Sequence, residues 1–314
     1  MRKFTSLMAV AIFLAFAGAA SAATPLVDVD WVKANIGKSG VVFLDVRGKL
    51  GGQSKTEYLA AHIPGAIWTN YLKDGWRAKD KNGTVGQLPP VAKLEKLIGG
   101  LGIGNTDHVV VIPVGSKAVD MGTATRIYWT FKVIGHNNVS ILDGGMKAYL
   151  SATDKKTKKP LNPLESGQIT RAAATFKGTL QKAMLASKTE IAMASTSGGV
   201  TVDNRPNNQY LGINKHGMAK RSGTVPNSKN VPENWLTQNG GGKFRDKETI
   251  KKLYDLAGVP TSGDQINFCN TGHWASLGWF AASEILGNKK AKLYDGSMVE
   301  WSADKSLPIQ SAIK

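Results

Sequence analysis

The sequence pattern of one structural unit occurs twice in this chain, and this repeat constrains the fold more than any other sequence feature. Residues 41–47 (VVFLDVR) and 199–205 (GVTVDNR) are short apolar runs that end in an acid and a base. A proline-containing turn follows each run, at residues 62–66 (HIPGA) and 224–228 (TVPNS). Such runs are typical of buried parallel strands. The pattern therefore predicts two copies of one α/β unit.

A second strand, a helix and a glycine turn repeat in the same order. The matching pairs are residues 107–112 and 264–269 for the strand, 123–134 and 275–286 for the helix, and 142–146 and 294–298 for the turn. Each helix ends at a glycine, Gly135 or Gly287, as a C-terminal cap requires. Strands that alternate with helices predict an α/β fold in which each domain has a mainly parallel sheet with helices on both faces.

The length of 314 residues is that of about two domains, and composition places the boundaries between them. Residues 151–170 are rich in Lys, Pro and Ser without an apolar period, which indicates a linker. We therefore expect a first domain at 23–150 and a second at 171–314.

The first 22 residues have the pattern of a secretory signal. Arg2 and Lys3 precede an apolar run at 7–17, and Ala20-Ser21-Ala22 forms an A-x-A cleavage site. The run is shorter than the ~20 residues that a membrane-spanning helix needs, so cleavage is favoured over stable anchoring. We expect a periplasmic or secreted protein.

The formal net charge of +17 could indicate a nucleic-acid partner. Export and the scattered lysines favour a solvated basic surface that attracts small anions, with no nucleic-acid partner.

Cys269 is the only cysteine, and it stands where a predicted strand gives way to a helix. Sites of α/β sheets lie at this edge, where backbone N–H groups and the helix dipole favour an anion. Both effects favour the thiolate, which is the nucleophilic form of cysteine. Gly272 allows the loop to curl at positive φ, so the loop can form a nest for a persulfide or a small oxyanion.

These motifs resemble the two-domain rhodaneses, which are thiosulfate or 3-mercaptopyruvate sulfurtransferases. The resemblance rests on the second-half motifs VDNRPNNQYLG, GTVPNSKNVP and YDGSMVEW and on the strand, cysteine and helix at 266–286, together with LDVR and HIPGA in the first half. It implies two tandem rhodanese-like domains, of which the second is catalytic. In the first domain Ile112 stands opposite Cys269, and the predicted loop runs for eleven residues to Thr123, so this domain is expected to form a wall of the cleft.

The resemblance implies that Cys269 takes a sulfane sulfur from thiosulfate or another small sulfur compound and passes it to cyanide or a thiol. It also implies that Arg205 faces the cleft and binds the anionic donor, although an arginine at this place could instead pair with Asp203 or Glu233. The implied loop contacts of the substrate are Asn270, Thr271, Gly272, His273 and Trp274.

The loop departs from the family pattern, which leaves the donor open. Thr271 stands where thiosulfate rhodaneses have a lysine, and Leu211 stands where the mercaptopyruvate branch has an arginine. His273 could supply part of the missing charge as a partly protonated imidazole, or could cap or pack the helix. Trp274 could form an aromatic wall of the pocket or serve packing.

Two other functions compete with sulfur transfer. A carrier that sequesters reactive sulfur or selenium on Cys269 without turnover stays open, because the chain has no second cysteine to resolve a persulfide. Cysteine phosphatases and arsenate reductases need a longer loop that ends in arginine, whereas Ala275 follows Trp274 here. The five histidines show no close ligand spacing, so neither a metal nor another cofactor is expected.

Overall fold

The computed structural model describes residues 23–313, so the predicted signal at 1–22 lies outside the described residues. The elements of the first half are β1 (Leu26–Val27), α1 (Val29–Asn35), β2 (Val41–Asp45), α2 (Lys55–Ala60), β3 (Ile67–Trp68), β4 (Ala78–Lys79), β5 (Val85–Gln87), α3 (Val91–Gly100), β6 (His108–Ile112), α4 (Ala118–Val133), β7 (Val139–Leu142) and α5 (Gly145–Tyr149).

The second half repeats this succession after a long irregular segment. Its elements are β8 (Leu185–Ala186), α6 (Lys188–Thr196), β9 (Val200–Asp203), α7 (Asn207–Tyr210), β10 (Lys229–Asn230), α8 (Lys247–Leu256), β11 (Gln265–Phe268), α9 (His273–Phe280), β12 (Ala291–Tyr294) and α10 (Ser297–Ala303). A π-helical turn, Ala281–Ile285, continues α9 up to the predicted cap at Gly287, which has a φ of 87°.

Each half builds a five-stranded sheet in which every pair of neighbouring strands is parallel. The strand orders are β1-β7-β6-β2-β3 and β8-β12-β11-β9-β10, so the two sheets have the same topology. The predicted fold, two tandem α/β domains with mainly parallel sheets, is confirmed.

Alternating strand residues pack on opposite faces of each sheet. Val42 and Leu44 of β2 belong to the core cluster that contains α4, whereas Phe43 between them packs with Val32 of α1 and Met146 of α5. Burial of both faces explains why the strands are continuous apolar runs. The cluster around α4 extends into the second domain, where it includes residues of α9, so the two domains share one core.

Helix α4 begins at Ala118, five residues before the predicted start at Thr123. The carboxylate of Asp120 accounts for the early start, because it accepts hydrogen bonds from the N–H groups of Gly115, Ser116 and Lys117 and caps the helix. The first-domain loop is therefore nearly as short as the loop that holds Cys269, and the predicted loop of eleven residues is wrong.

The segment predicted as a linker lies along the first domain. Glu165 forms an antiparallel bridge with His62, and Ile169 N–H donates to the hydroxyl of Tyr58 at 3.1 Å. Beyond it, Thr179 N–H donates to the carbonyl of Ile134 at the end of α4. No helix among residues 23–313 has the length and apolar character that crossing a membrane requires.

Candidate active site

Cys269 directly follows β11, and the loop after it leads into α9. Gly272, the residue before the helix, has a φ of 71°, a backbone conformation that glycine adopts without steric cost. The cysteine side chain is almost fully buried, with 1% of its surface exposed. The chain therefore places its one thiol at the carboxyl edge of the second sheet, beneath the surface.

Ser297, the first residue of α10, fixes the backbone of this loop. Its Oγ accepts hydrogen bonds from the N–H groups of Cys269 at 3.0 Å and Gly272 at 3.2 Å, and lies 4.0 Å from Cys269 Sγ. Met298 and Val299 donate their N–H groups to the carbonyls of Cys269 and Asn270. The start of α10 thus fixes the first and last residues of the cysteine loop, Cys269 and Gly272. Ser297 makes these contacts with a positive φ of 47°.

Four amide N–H groups of the loop donate to no acceptor within residues 23–313: those of Asn270, Thr271, His273 and Trp274. The corresponding loop of the first domain differs, since the Asp120 carboxylate fills its nest. The first-domain loop therefore holds its own anion, whereas the second-domain loop has free donors beside a cysteine.

Two arginines of the first domain bind carbonyls of the cysteine loop. Arg126 of α4 donates to the carbonyl of Gly272 at 3.0 Å and forms an ion pair of 2.6 Å with Asp295. Arg77 donates to the carbonyl of Thr271 at 2.6 Å, and its guanidinium lies 5.5 Å from the ring centre of Tyr71. These contacts join the first domain to the loop.

His273 is a buried contact between the domains. Its Nε2 lies 2.7 Å from the carbonyl of Val119 and its Nδ1 lies 3.0 Å from the hydroxyl of Tyr71. Burial, followed by repulsion from Arg77 and Arg126, lowers the pKa of His273 to about 3, so the ring is neutral at pH 7. A neutral ring with these partners donates through Nε2 and accepts at Nδ1. The low pKa and these contacts favour the other alternative, in which His273 packs between the domains.

Arg205 does not reach the cysteine cleft. Its guanidinium binds the Asp203 carboxylate through Nε at 2.9 Å and Nη2 at 2.5 Å, and Nη2 also donates to the carbonyl of Gly223. Arg47 binds Asp45 in the same way in the first domain, which has no cysteine. Because the pair recurs where there is no nucleophile, it belongs to the fold, and the structure does not place Arg205 in the cleft as predicted.

The other predicted loop residues border the cleft. The side-chain amide of Asn270 donates to Gln209 at 2.8 Å, and its Oδ1 is buried without a partner among the described residues. Thr271 is nearly buried, whereas Trp274 is half-buried against the shared core. The structure therefore brings Cys269 and the residues 270–274 together and leaves Arg205 apart.

A cleft of about 210 Å³ lies over the cysteine between the two domains. Its lining comes from both domains and consists of Leu50, Leu72, Arg77, Val119, His216, Met218, Cys269, Asn270, Thr271, His273 and Trp274. No group of three or more His, Cys, Asp or Glu side chains suited to a metal ion occurs in the described ranges. The lining presents the thiol, residues of the cysteine loop and the Arg77 side chain to the cleft.

The sequence reasoning missed Tyr71, Arg77, Arg126, Asp295 and Ser297. Asp295 and Ser297 belong to the YDGSMVEW motif, so these two residues could have been predicted from the motif. The other three residues lie between about 140 and 200 positions before the cysteine, in the domain expected only to form a wall. No local pattern connects them to the loop.

Comparisons with known proteins match both halves of the chain. The family model described as "Rhodanese-like domain" matches residues 28–152 and 187–304. A relative from Saccharopolyspora erythraea, provisionally named a thiosulfate sulfurtransferase, is 32% identical and covers 91% of this chain and 96% of its own length. The thiosulfate sulfurtransferase of Bos taurus is 30% identical, with coverage of 79% and 80%.

Among solved structures, the 3-mercaptopyruvate sulfotransferase SseA of Escherichia coli is similar in fold. It superposes with a TM-score of 0.72 at 24% identity and covers 88% of this chain and 99% of its own. The similarity extends over both domains.

Proposed function

The chain belongs to the rhodanese family and is a sulfurtransferase, and from this premise we propose that it carries the transferred sulfur as a persulfide on Cys269. The donor is thiosulfate or another small sulfur compound, and the acceptor is cyanide or a thiol. The names of the relatives support a donor of the thiosulfate type.

The observation that carries the proposal is the pair of loops in the two domains. In the first domain the loop amides hold the carboxylate of Asp120. In the second domain Ser297 binds the amides of Cys269 and Gly272, whereas those of Asn270, Thr271, His273 and Trp274 have no acceptor within residues 23–313. A persulfide anion on Cys269 can accept hydrogen bonds from them, in the place where the first domain keeps a built-in anion.

The proposed reaction is a double displacement. The Cys269 thiolate attacks the outer sulfur of the donor, a new S–S bond forms, and the bond between that sulfur and the remainder of the donor breaks with its electron pair leaving on the remainder. An acceptor thiolate or cyanide then attacks the outer sulfur of the persulfide and returns Cys269 to the thiolate. Because Cys269 is the only cysteine of the chain, the discharge is to an external acceptor.

Intact-mass spectrometry tests the persulfide directly. We expect incubation with a sulfur donor to add the mass of one sulfur atom, and cyanide to remove it with formation of thiocyanate. Cys269→Ser should abolish both events and leave the circular dichroism spectrum unchanged, because serine has a similar volume and the protein has no disulfide to lose. Sulfur transfer by the serine variant would exclude Cys269, and loading without discharge would identify a carrier.

We further propose that the reaction takes place in the periplasm or outside the cell. This part of the proposal rests on the signal pattern at residues 1–22. Export would also place the single thiol in an oxidising compartment, where burial at 1% exposure protects it from large reagents.

A further inference from the structure

Residues 152–161 form an ordered hairpin, which we call the lysine hairpin. An antiparallel bridge between Thr153 and Pro160 closes its base. At its tip the carboxylate of Asp154 accepts hydrogen bonds from the N–H and the hydroxyl of Thr157 at 2.7 and 2.9 Å. These bonds fix the backbone, so the side chains at the tip extend from a defined turn.

The tip of the lysine hairpin concentrates positive charge. Four lysines and one aspartate give the segment a net charge of +3. The aspartate is Asp154, whose carboxylate already accepts the hydrogen bonds of the turn. All four lysines are exposed, and none pairs with a carboxylate within residues 23–313; they are Lys155, Lys156, Lys158 and Lys159. Ammonium groups this close in the chain repel one another, so a surface with several negative charges is the partner that relieves the repulsion.

Hydrocarbon is exposed next to these lysines in the chain. Leu161 and Leu164 follow the tip and are 63% and 36% exposed. The chain between them is fixed to α5, because Asn162 donates its side-chain amide to the carbonyl of Tyr149, whose hydroxyl donates to the carbonyl of Pro163 at 2.8 Å. Cationic side chains beside exposed leucines on one segment are the combination that binds the interface of a bilayer, where phosphates lie above acyl chains.

We propose that the lysine hairpin docks the protein on a lipid bilayer that carries anionic headgroups. The four ammonium groups bind lipid phosphates, and the side chain of Leu161 enters the acyl boundary below them. Nucleic acid matches the charge only, because residues 152–161 contain neither an aromatic side chain nor an arginine to stack on bases. The docking is independent of the proposed sulfur transfer, because no residue of the lysine hairpin lines the cleft over Cys269.

Vesicle sedimentation of the mature protein, which begins at Ala23, tests the docking. The vesicles contain phosphatidylcholine alone or equal parts of phosphatidylcholine and phosphatidylglycerol. We expect at least about tenfold tighter binding to the anionic vesicles, and loss of this preference at about 0.5 M NaCl because salt screens the lysines. Equal binding to the two kinds of vesicle at low salt would overturn the proposal.

Two matched pairs of substitutions locate the contact. Lys155→Gln with Lys156→Gln should weaken binding to the anionic vesicles by about twentyfold, since each lysine near an anionic surface contributes a factor of about five. Lys79→Gln with Lys81→Gln removes the same charge from two exposed lysines outside the hairpin that also lack an ion pair within the described residues. This control pair should change the binding by less than about threefold. Equal losses from the two pairs would mean that net charge alone attracts the protein to the vesicles, and would contradict a docking site.

Leu161→Ser distinguishes a bilayer from an acidic protein. We expect about fivefold weaker binding to anionic vesicles and unchanged binding to soluble polyglutamate, because only the bilayer offers hydrocarbon to the leucine. The circular dichroism spectrum should be unchanged in every variant, since all the replaced side chains are exposed. Binding to polyglutamate without binding to anionic vesicles would overturn the membrane assignment in favour of an acidic protein partner.

Discussion

At the scale of single residues, the aspartate and arginine that end the strand motif act as a buried pair. Asp203 and Arg205 are both at most 1% exposed, and the hydroxyl of Thr224 also donates to Asp203 at 2.7 Å. Asp45 and Arg47 repeat the ion pair in the first domain. The same D-x-R motif therefore stabilises the edge of both sheets, whether or not a cysteine follows.

Arg205→Ala should lower stability and leave donor binding unchanged. Removing the guanidinium leaves the Asp203 carboxylate buried without its counter-charge, which typically costs about 3–5 kcal/mol. Urea unfolding measures this loss, and the KM for thiosulfate of the folded protein should stay as in the wild type. Arg47→Ala is the matched control and should show a similar loss. A raised KM with unchanged stability would return Arg205 to the donor site.

Glu233 should make stability depend on pH. Burial, with a further contribution from Asp203, raises the pKa of Glu233 from its usual 4.5 to about 7, and its Oε2 has no hydrogen-bond partner in the described part of the chain. A carboxyl group with a raised folded-state pKa favours folding fully below pH 4.5, and this contribution is lost as the pH rises through 7.

Glu233→Gln should therefore stabilise the protein at pH 8, by up to roughly 3 kcal/mol, and should have little effect near pH 4.5. Urea unfolding between pH 4.5 and 8 measures the difference between wild type and variant. Parallel pH profiles for the two proteins would mean that Glu233 titrates normally in the fold.

At the scale of elements, the loop between β11 and α9 depends on a glycine that has no room for a side chain. A Cβ at Gly272 would collide with Arg126 Nη1 and lie 2.5 Å from Asp295 Oδ1. Gly287, at the end of the same helical segment, has a similar positive φ of 87° but open space around it. Substitutions at the two glycines therefore distinguish the effect of backbone strain, which both would cause, from the effect of a steric collision, which only Gly272 would cause.

Gly272→Ala should lower sulfur transfer more than tenfold, because the new methyl group displaces the ion pair that holds the loop. Gly287→Ala should cost only the strain of a left-handed alanine, about 1–2 kcal/mol, with kcat/KM unchanged. Thiocyanate formation and urea unfolding of both variants provide the check. Equal losses of activity would show that backbone strain alone disturbs the site.

At the scale of the whole molecule, the two domains are joined by packing between α4 and α9. The rings of Tyr128 and Phe280 meet edge to face at 4.9 Å, and the hydroxyls of Thr125 and Ser276 are 2.8 Å apart. Both helices belong to the same core cluster. The candidate active site therefore lies at the edge of a continuous core.

This shared core should make the two domains unfold together. Exposing α9 also exposes the apolar face of α4, so an intermediate with one folded domain would leave a large apolar surface in water. Calorimetry should give a single transition whose calorimetric and van't Hoff enthalpies agree. Two resolved transitions would show that the domains are independent.

The leader should be removed during export. We expect N-terminal sequencing of the protein from the periplasm or medium to begin at Ala23, since the A-x-A site ends at Ala22. A protein that keeps Met1 and stays in the cytoplasm would contradict the localisation. This prediction depends only on residues 1–22, which lie outside the described structure.

The sequence alone determined the repeat, the strands that it predicted and the place of Cys269. Those features depend on short-range patterns, namely apolar runs of strand length and glycines that end helices or turns. Strand boundaries were correct to about two residues, as for β9, predicted at 199–205 and observed as Val200–Asp203. The start of α4 was missed because its cap, Asp120, lies inside the helix and binds amides before it.

Only the tertiary structure decided which side chains meet the cysteine. Arg205 is two residues from the end of β9, but its guanidinium turns back onto Asp203, whereas Arg77 and Arg126 reach the loop from the other domain. The ionisation of His273 also depends on its burial between the domains. Charge, burial and hydrogen bonding at the site arise from residues that lie far apart in the chain. Local sequence patterns therefore cannot predict which of these residues the fold brings together.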